Sequence, residues 1–159
     1  MNYSSFWQVH VLYEEAAIRN YYNVTMVEKL FHFGKGKVSE YMTVNNNKES
    51  TDSPDNPYCH TSASDYRLTN QTLYPLSYQD MINADYGFPT SAGASSGRKG
   101  VSTDYAIAKS SVAKDVFWTR SPCSTGGNKV WAVASDGSLV GKAVTTSVGV
   151  RPACRLIIS

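Results

Sequence analysis

Cysteine and histidine are among the side chains in this chain whose types could support catalysis. Cys59 precedes His60, and a thiol beside an imidazole could act as a nucleophile with its general base. Neighbouring residues on an extended chain point apart, however, and no acidic residue is identifiable that would orient the histidine. The pair therefore does not predict a catalytic site.

The three cysteines are widely spaced and include no Cys-x-x-Cys pair, which argues against a zinc site and against a disulfide framework. Free, partly buried thiols are the prediction. A bridge between Cys123 and Cys154 stays open as an alternative, because it depends on a Cβ geometry that a sequence does not give.

Two further segments have weak ligand signatures. Residues 51–56 (TDSPDN) are rich in oxygen ligands that suit calcium, but acidic turn residues are far commoner than metal sites. Residues 93–100 resemble a phosphate loop only loosely, because Gly97 is followed by Arg98 and Lys99 instead of lysine and a hydroxyl residue. We therefore predict no metal, no cofactor and no enzymatic activity.

The strongest binding signal lies near the carboxyl end. A polar segment with two glycines, residues 124–129, leads into a tryptophan, and residues 143–148 supply a second polar stretch. Loops that a rigid sheet holds commonly carry recognition, although the same composition is typical of solvated turns without a ligand. The predicted ligand-binding residues are Ser124, Thr125, Asn128, Lys129, Trp131, Thr145 and Thr146.

A β-hairpin is predicted to position these residues. Residues 130–135 (VWAVAS) favour a strand, and Asp136-Gly137 separates them from a second apolar run at residues 138–140. A two-residue Asp-Gly loop suits a type I′ turn. A further strand is predicted over residues 150–158, with Pro152 at its start, at an edge or at a bulge because proline donates no ladder hydrogen bond.

Capping signals predict two helices upstream of the hairpin. Ser77 and Asp80 have the spacing of a capping box, which predicts a helix from residue 78 to about residue 85, ending before Gly87. Ser102 or Thr103 starts the second helix. Residues 91–100 (SAGASSGRKG) are predicted to be a flexible loop between the two.

The amino-terminal part gives weaker patterns. Alternation over residues 7–13 predicts a strand, helical spacing follows over residues 14–31, and residues 38–44 carry a weak strand signal. Residues 45–70 are dominated by Asn, Ser, Asp, Thr and Pro and are predicted to form a long surface loop. A short strand is predicted at residues 72–76.

Size and charge limit the functional classes. A chain of 159 residues suits one domain, and 42% hydrophobic with 18% charged residues argues against wholesale disorder. A net charge of +2 without a basic cluster does not predict nucleic-acid binding. The start of the chain has no secretory pattern and no stretch is apolar enough to span a membrane, so we expect no membrane insertion and either action without Sec-type export or a place in a longer chain.

Several short motifs together resemble a known group of proteins. They are residues 73–77 (LYPLS), 103–106 (TDYA), 118–122 (WTRSP), the Asp136-Gly137 pair and residues 149–153 (GVRPA). This set resembles an uncharacterised bacterial and phage domain family, which is similar to the C-type lectin-like and formylglycine-generating-enzyme-like superfamily. The resemblance covers residues 71–159 well and residues 1–70 weakly.

The resemblance implies an α+β domain of C-type lectin-like fold that spans residues 1–159, with two helices, a small twisted antiparallel sheet and long loops. Trp118, Arg120 and Arg151 are then structural, since an arginine beside a proline can give its donors to loop carbonyls. The calcium-binding loop motifs of lectins are absent from the sequence. Some members of this superfamily are oxidases, but no residue of this sequence supports assigning that activity to it.

The expected function is ligand recognition by a phage or bacterial surface protein, as a receptor-binding or display domain that binds protein or glycan through its carboxy-terminal loops. In related display proteins this region varies, in some through deliberate diversification. The alternative is a structural or assembly module of a phage particle or surface complex. The expected location is a virion or a bacterial cell surface, and a homo-oligomer stays open.

Overall fold

The computed structural model describes residues 20–27, 29, 42–43, 71–109, 114–123, 125–126 and 128–157. The strand predicted at residues 7–13, the long loop at residues 45–70, the Cys59–His60 pair and Ser124 lie outside the described residues. The secondary-structure elements, numbered in chain order, are β1 (Met42–Thr43), β2 (Tyr74–Pro75), α1 (Tyr78–Met81), α2 (Asp104–Lys109), β3 (Phe117–Pro122), β4 (Lys129–Val133), β5 (Leu139–Ala143), β6 (Pro152–Ala153) and β7 (Arg155–Leu156).

An antiparallel sheet of order β3–β4–β5 lies at the centre of the described chain. Two short antiparallel pairs, β1 with β7 and β2 with β6, accompany it. Helical turns flank the sheet, including a π-helical turn at Tyr21–Met26 and 3-10 turns at Ala84–Tyr86 and Ser96–Arg98. The domain is therefore a small α+β fold with few helices and small antiparallel sheets.

Each face of the central sheet carries its own apolar cluster, because successive side chains on a strand point to opposite faces. Trp118 and Ala132 are paired and belong to the first cluster, while Phe117 and Val133 are paired and belong to the second. The buried members of the first cluster are Tyr22, Val27, Leu73, Tyr74, Val116, Trp118, Val130, Ala132 and Val148. Those of the second are Met81, Phe117, Val133 and Leu139. The sheet is thus packed on both sides.

The predicted hairpin is confirmed as β4 and β5, but its predicted type I′ turn is wrong. The Gly137 amide donates to the Ala134 carbonyl at 2.8 Å, and the Ala134 amide donates to the Ser138 carbonyl at 2.8 Å. Among the described residues only Asp115, Gly87 and Gly137 have positive φ, so Asp136 does not. This is a three-residue loop in which a left-handed glycine follows an ordinary turn. The Asp136 carboxylate holds the turn by accepting hydrogen bonds from the Ser138 amide and hydroxyl.

The predicted capping box is confirmed. Ser77 Oγ accepts the Asp80 amide at 2.9 Å, and Asp80 Oδ2 accepts the Ser77 amide at 2.8 Å. The helix is shorter than predicted, because Asn83 accepts the Asp85 amide and starts a separate 3-10 turn. That turn ends at Gly87, which has a φ of 78°.

The second helix begins where its capping signal predicted, since Thr103 Oγ1 accepts the Ala106 amide at 3.2 Å.

The carboxy-terminal segment differs more from its prediction. The single strand expected over residues 150–158 is divided between β6 and β7, which pair with different partners. Pro152 is the first residue of β6, in agreement with its predicted place. Cys123 and Cys154 are free, so the bridge between them is absent.

The flexible-loop prediction for residues 91–100 is wrong in its central part. This segment packs on the hairpin turn: the Ser95 amide donates to the Asp136 carbonyl at 3.1 Å, and the Leu139 amide donates to the Ala92 carbonyl at 2.8 Å. Arg98, within the segment, is 0% exposed. Small residues here allow the backbone to approach closely instead of leaving it loose.

Substitution of Gly137 by alanine tests this close approach. A Cβ atom on Gly137 would lie 1.9 Å from the Ser95 carbonyl oxygen, and the φ of 82° is unfavourable for alanine. We expect Gly137→Ala to lower the free energy of unfolding by about 3 kcal/mol or more, measured by urea denaturation.

Gly87→Ala is the matched control, because its φ is 78° and its added Cβ meets nothing within 4 Å. Gly87→Ala should therefore lower the free energy of unfolding only by the cost of a left-handed backbone conformation, about 1 kcal/mol. Equal losses for the two variants would contradict the packing of Ser95 on the turn.

Candidate functional site

An irregularity in β3 organises the scaffold beneath the candidate site. Trp118 pairs with Ala132 and Pro122 pairs with Val130, so three residues of β3 lie opposite the single residue Trp131. A bulge of this kind bends the strand and turns its side chains in new directions. The three bulged residues are Thr119, Arg120 and Ser121, and all are buried.

Two hydroxyl groups in the bulge form hydrogen bonds to the neighbouring elements. Thr119 Oγ1 donates to the Trp131 carbonyl at 2.8 Å. Ser121 Oγ accepts the Tyr78 amide at 2.9 Å, which satisfies one of the free donors at the start of α1. The bulge thereby joins β3 both to β4 and to the helix.

Arg120 is the third contact of the bulge and is only 2% exposed. Its Nη1 donates to the Pro75 carbonyl at 2.8 Å and to Asp80 Oδ2 at 2.8 Å. The guanidinium also lies 5.9 Å from the centre of the Tyr74 ring. Because Asp80 caps α1 as well, one carboxylate fixes both the helix start and the buried cation, and its negative charge suits a helix amino terminus.

Arg98 forms the larger buried network, which the sequence analysis did not anticipate. Its Nε donates to the Gly137 carbonyl at 2.8 Å, and its Nη1 donates to the Ser91 carbonyl at 2.8 Å. The other acceptors are the carbonyls of Met81, Pro89 and Gly93. Burial lowers the pKa of Arg98 from its ordinary value. This one side chain joins the end of α1, the 89–93 segment and the hairpin turn.

Arg151, expected to act as a second brace, lies at the surface. Its Nη1 donates to the Lys99 carbonyl at 3.2 Å, and its guanidinium lies 5.4 Å from the centre of the Phe117 ring. It therefore touches one loop carbonyl and one core ring but is exposed. Trp118 is 1% exposed within the first cluster.

A sequence signal for Arg98 did exist. It is an arginine amid glycines and serines, where many carbonyls can converge on its guanidinium.

The two predicted polar loops lie side by side at one end of the sheet. The Val144 amide, just after β5, donates to the Asn128 carbonyl at 3.0 Å, just before β4. Tight turns hold each loop, with the Lys129 amide on the Gly126 carbonyl and the Thr146 amide on the Ala143 carbonyl. We call the five predicted side chains that the structure describes here the polar rim, and they are Thr125, Asn128, Lys129, Thr145 and Thr146.

The rim side chains face solvent to different degrees. Thr125, Asn128 and Thr145 are exposed, while Lys129 and Thr146 are half-buried. The stem of Lys129 lies over Gly126, where an added Cβ would be 3.5 Å from Lys129 Cδ. The rim therefore offers hydroxyl, amide and ammonium groups, a set that can donate to and accept from a polar ligand.

Trp131 is less available to a ligand than the sequence suggested. It is half-buried and packs against the second cluster, with its ring centroid 4.8 Å from that of Tyr78. Its indole Nε1 is buried and has no hydrogen-bond partner in the described chain. Trp131, a residue of β4, thus joins this strand to α1 and supports the polar rim from beneath.

Cys123 lies where the rim meets the sheet and is fully buried. Its Sγ is 3.1 Å from Thr125 Oγ1. Opposite it, a Cβ on Gly141 would come within 2.5 Å of the same sulfur. Gly141 therefore leaves the space in which the cysteine and the rim threonine pack.

Two further properties of the described residues bear on function. Among the residues that the structure describes, no three His, Cys, Asp or Glu side chains come together as a metal site would require. No helix in the described ranges has the length and apolar character needed to cross a membrane.

A comparison with protein-family models gives a match over almost the whole chain. The model is described as a domain of unknown function, DUF6273, and it covers residues 2–158. The chain belongs to the DUF6273 family. Neither the curated proteins nor the solved structures gave a match.

The buried network of this DUF6273 domain predicts a severe effect for Arg98→Lys. A lysine keeps the charge but has a compact ammonium with three donors, which cannot reach carbonyls on several sides. Unpaired carbonyls would remain, and we expect a loss of about 3–5 kcal/mol in the free energy of unfolding, measured by urea denaturation.

Arg151→Lys is the matched control for the same exchange at an exposed arginine. Its expected effect stays within about 0.5 kcal/mol, as for most surface substitutions. If Arg98→Lys were as mild as Arg151→Lys, the carbonyl network would not be what holds the 89–93 segment to the hairpin turn.

The shared carboxylate of Asp80 gives a second prediction. Asp80→Asn keeps an oxygen that can cap α1 but leaves the buried Arg120 without its anionic partner. We expect about 2–4 kcal/mol of destabilisation in thermal or urea unfolding. Asp85→Asn, an exposed exchange of the same type, is the control, and equal effects of the two would show that the ion pair contributes nothing.

Proposed function

We propose that this domain is a non-enzymatic ligand-recognition module, the receptor-binding or display domain of a phage or bacterial surface protein. The polar rim is its binding surface, and the ligand is a protein or a glycan. The observation that carries the proposal is the Val144–Asn128 backbone hydrogen bond of 3.0 Å, which holds two exposed polar loops together. Recognition residues on loops that a rigid sheet positions are a common arrangement in binding proteins.

The division of labour between buried and exposed residues supports this proposal. The contacts that hold the loops run through backbone groups, as in the bonds of Lys129 with Gly126 and of Thr146 with Ala143. The exposed side chains of Thr125, Asn128 and Thr145 are left outside the two apolar clusters. Substitutions there would change the ligand surface without disturbing the sheet, as a diversified receptor requires.

We also propose that the α+β fold is of the C-type lectin-like type. Supporting features are the small antiparallel sheet, the two capped helices that precede it, and the burial of Trp118 and Arg120 in the motif that carries the resemblance. In such a domain the loops beyond the sheet would present the ligand surface. The position of the rim agrees with that expectation.

An assembly role is the second candidate, and α2 is the observation that favours it. Every side chain described in this helix is exposed, including Tyr105 at 74% and Ile107 at 45%, and the nearby Val101 is 89% exposed. Exposed apolar groups of this size are typical of contact surfaces. Sedimentation of the wild type and of Tyr105→Ser over a range of concentrations would reveal such a contact as an association that the substitution weakens.

Binding arrays with rim variants test the recognition proposal. The purified domain is screened on glycan and protein arrays, and affinity for any ligand found is measured for Asn128→Ala and Thr145→Ala. We expect each substitution to weaken binding by about tenfold, which corresponds to the loss of one or two hydrogen bonds. Urea midpoints should not move, because both side chains are exposed.

Thr90→Ala is the matched control for Thr145→Ala. Thr90 is also exposed, but it lies in the segment that packs on the hairpin turn, at the other end of β4 and β5. Lys129→Ala is compared in the same way with the exposed Lys114→Ala. Unchanged binding in all rim variants would overturn the proposal.

A further inference from the structure

The outer edge of β5 carries backbone groups that point away from the sheet. In an antiparallel pair, the amide and carbonyl of one residue point to the same side, and successive residues alternate. The Leu139 amide donates to the Ala92 carbonyl, outside the hairpin, whereas Ser138 and Val144 bond towards the β4 side. Leu139, Gly141 and Ala143 therefore direct their backbone groups to the outer edge.

Part of this edge is occupied, and the rest has no hydrogen-bond partner in the described ranges. The Leu139 amide is bonded to Ala92, and the Ala143 carbonyl accepts the Thr146 amide. The groups without a partner in the described chain are the Leu139 carbonyl, both groups of Gly141 and the Ala143 amide. These four alternate along the strand as a ladder requires, and an added strand of either direction would use all four.

The charge beside the edge favours one kind of occupant. Lys142 lies in the middle of β5, where it is paired with Val130. It forms no ion pair with any residue in the described ranges. A strand added here would have the uncompensated ammonium of Lys142 beside it, which favours acidic side chains on that face of the partner.

A second copy of the chain fits this edge less well. In a symmetric pair centred on Gly141, each Lys142 would lie opposite Val140 of the other copy. Alternate residues share a face, so the two lysines would stand diagonally on the same face. Like charges at such positions destabilise a sheet.

We propose that the open edge of β5 binds an extended, acidic segment of a protein partner as an additional strand. Backbone hydrogen bonds would supply affinity, and Lys142 would select acidic sequences. Gly141 lies at the centre of this site, and its lack of a side chain makes room for Cys123 and Thr125 within the fold. The inference does not rest on the polar rim, because backbone groups of β5 carry it.

A designed peptide tests the site directly. The probe is a fluorescein-labelled octapeptide of alternating valine and glutamate, with fluorescence anisotropy as the readout. Two companion peptides have the same length: one is N-methylated at alternate backbone nitrogens, and one has lysine in place of glutamate. We expect binding of the first peptide and at least about tenfold weaker binding of both companions.

Ala143→Pro removes one of the four open groups without removing a bond of the fold, because the Ala143 amide has no partner in the described chain. Ala143→Pro should weaken binding of the valine–glutamate peptide by about tenfold, whereas Ala143→Ser should leave that binding unchanged. Lys142→Glu should also weaken it, with Lys114→Glu as the matched charge control. Circular dichroism and urea midpoints establish that each variant is folded.

Three outcomes would overturn the inference. They are equal binding of the N-methylated peptide, full binding by a folded Ala143→Pro variant, and a dimer of this chain that Ala143→Pro dissociates. Asn128→Ala separates the two proposed surfaces: loss of array ligands with retained peptide binding would leave the edge site standing, and the reverse pattern would leave only the rim.

Discussion

Carbonyl groups buried in irregular backbone must find hydrogen-bond donors, and a small sheet with few helices has many such carbonyls to satisfy. Arg98 meets most of this demand around the hairpin turn, where its guanidinium bonds to five carbonyls from three separate segments. Arg120 does the same on a smaller scale at Pro75 and adds the carboxylate of Asp80. The 89–93 segment, the hairpin turn and the start of α1 depend on these two buried side chains.

This arrangement separates the buried supporting contacts from the exposed polar rim. The turn end of the hairpin is closed by the segment that Arg98 holds, while the other end carries the polar rim and its exposed side chains. Trp131 belongs with the support, because its ring packs on Tyr78 and its nitrogen is buried. Variation at the rim therefore leaves the packing of both clusters intact.

Local patterns were predictable from the sequence, and contacts between distant segments were not. The Ser77–Asp80 box and the Thr103 cap involve residues three apart, so their types and spacing state the contact directly. The hairpin was also located, but its turn was one residue longer than predicted, and the packing of Ser95 from another segment on Gly137 has no local sequence signal. The two loops of the rim were predicted from composition, while their adjacency depends on the register of β4 and β5. Arg98 was missed because its glycine- and serine-rich surroundings were interpreted only as a flexible loop, and because its partners in the described chain are backbone carbonyls, which any residue type can supply.

The double use of Asp80 has a consequence for the order of folding. A helix of four residues is far too short to persist alone in water, since nucleation is costly and few turns repay it. Its first turn is complete only when the bulged strand brings Arg120 to the Asp80 carboxylate and the Ser121 hydroxyl to the Tyr78 amide. Helix α1 is thus not an autonomous unit, and its amides should exchange with solvent only together with those of β3, as one cooperative block.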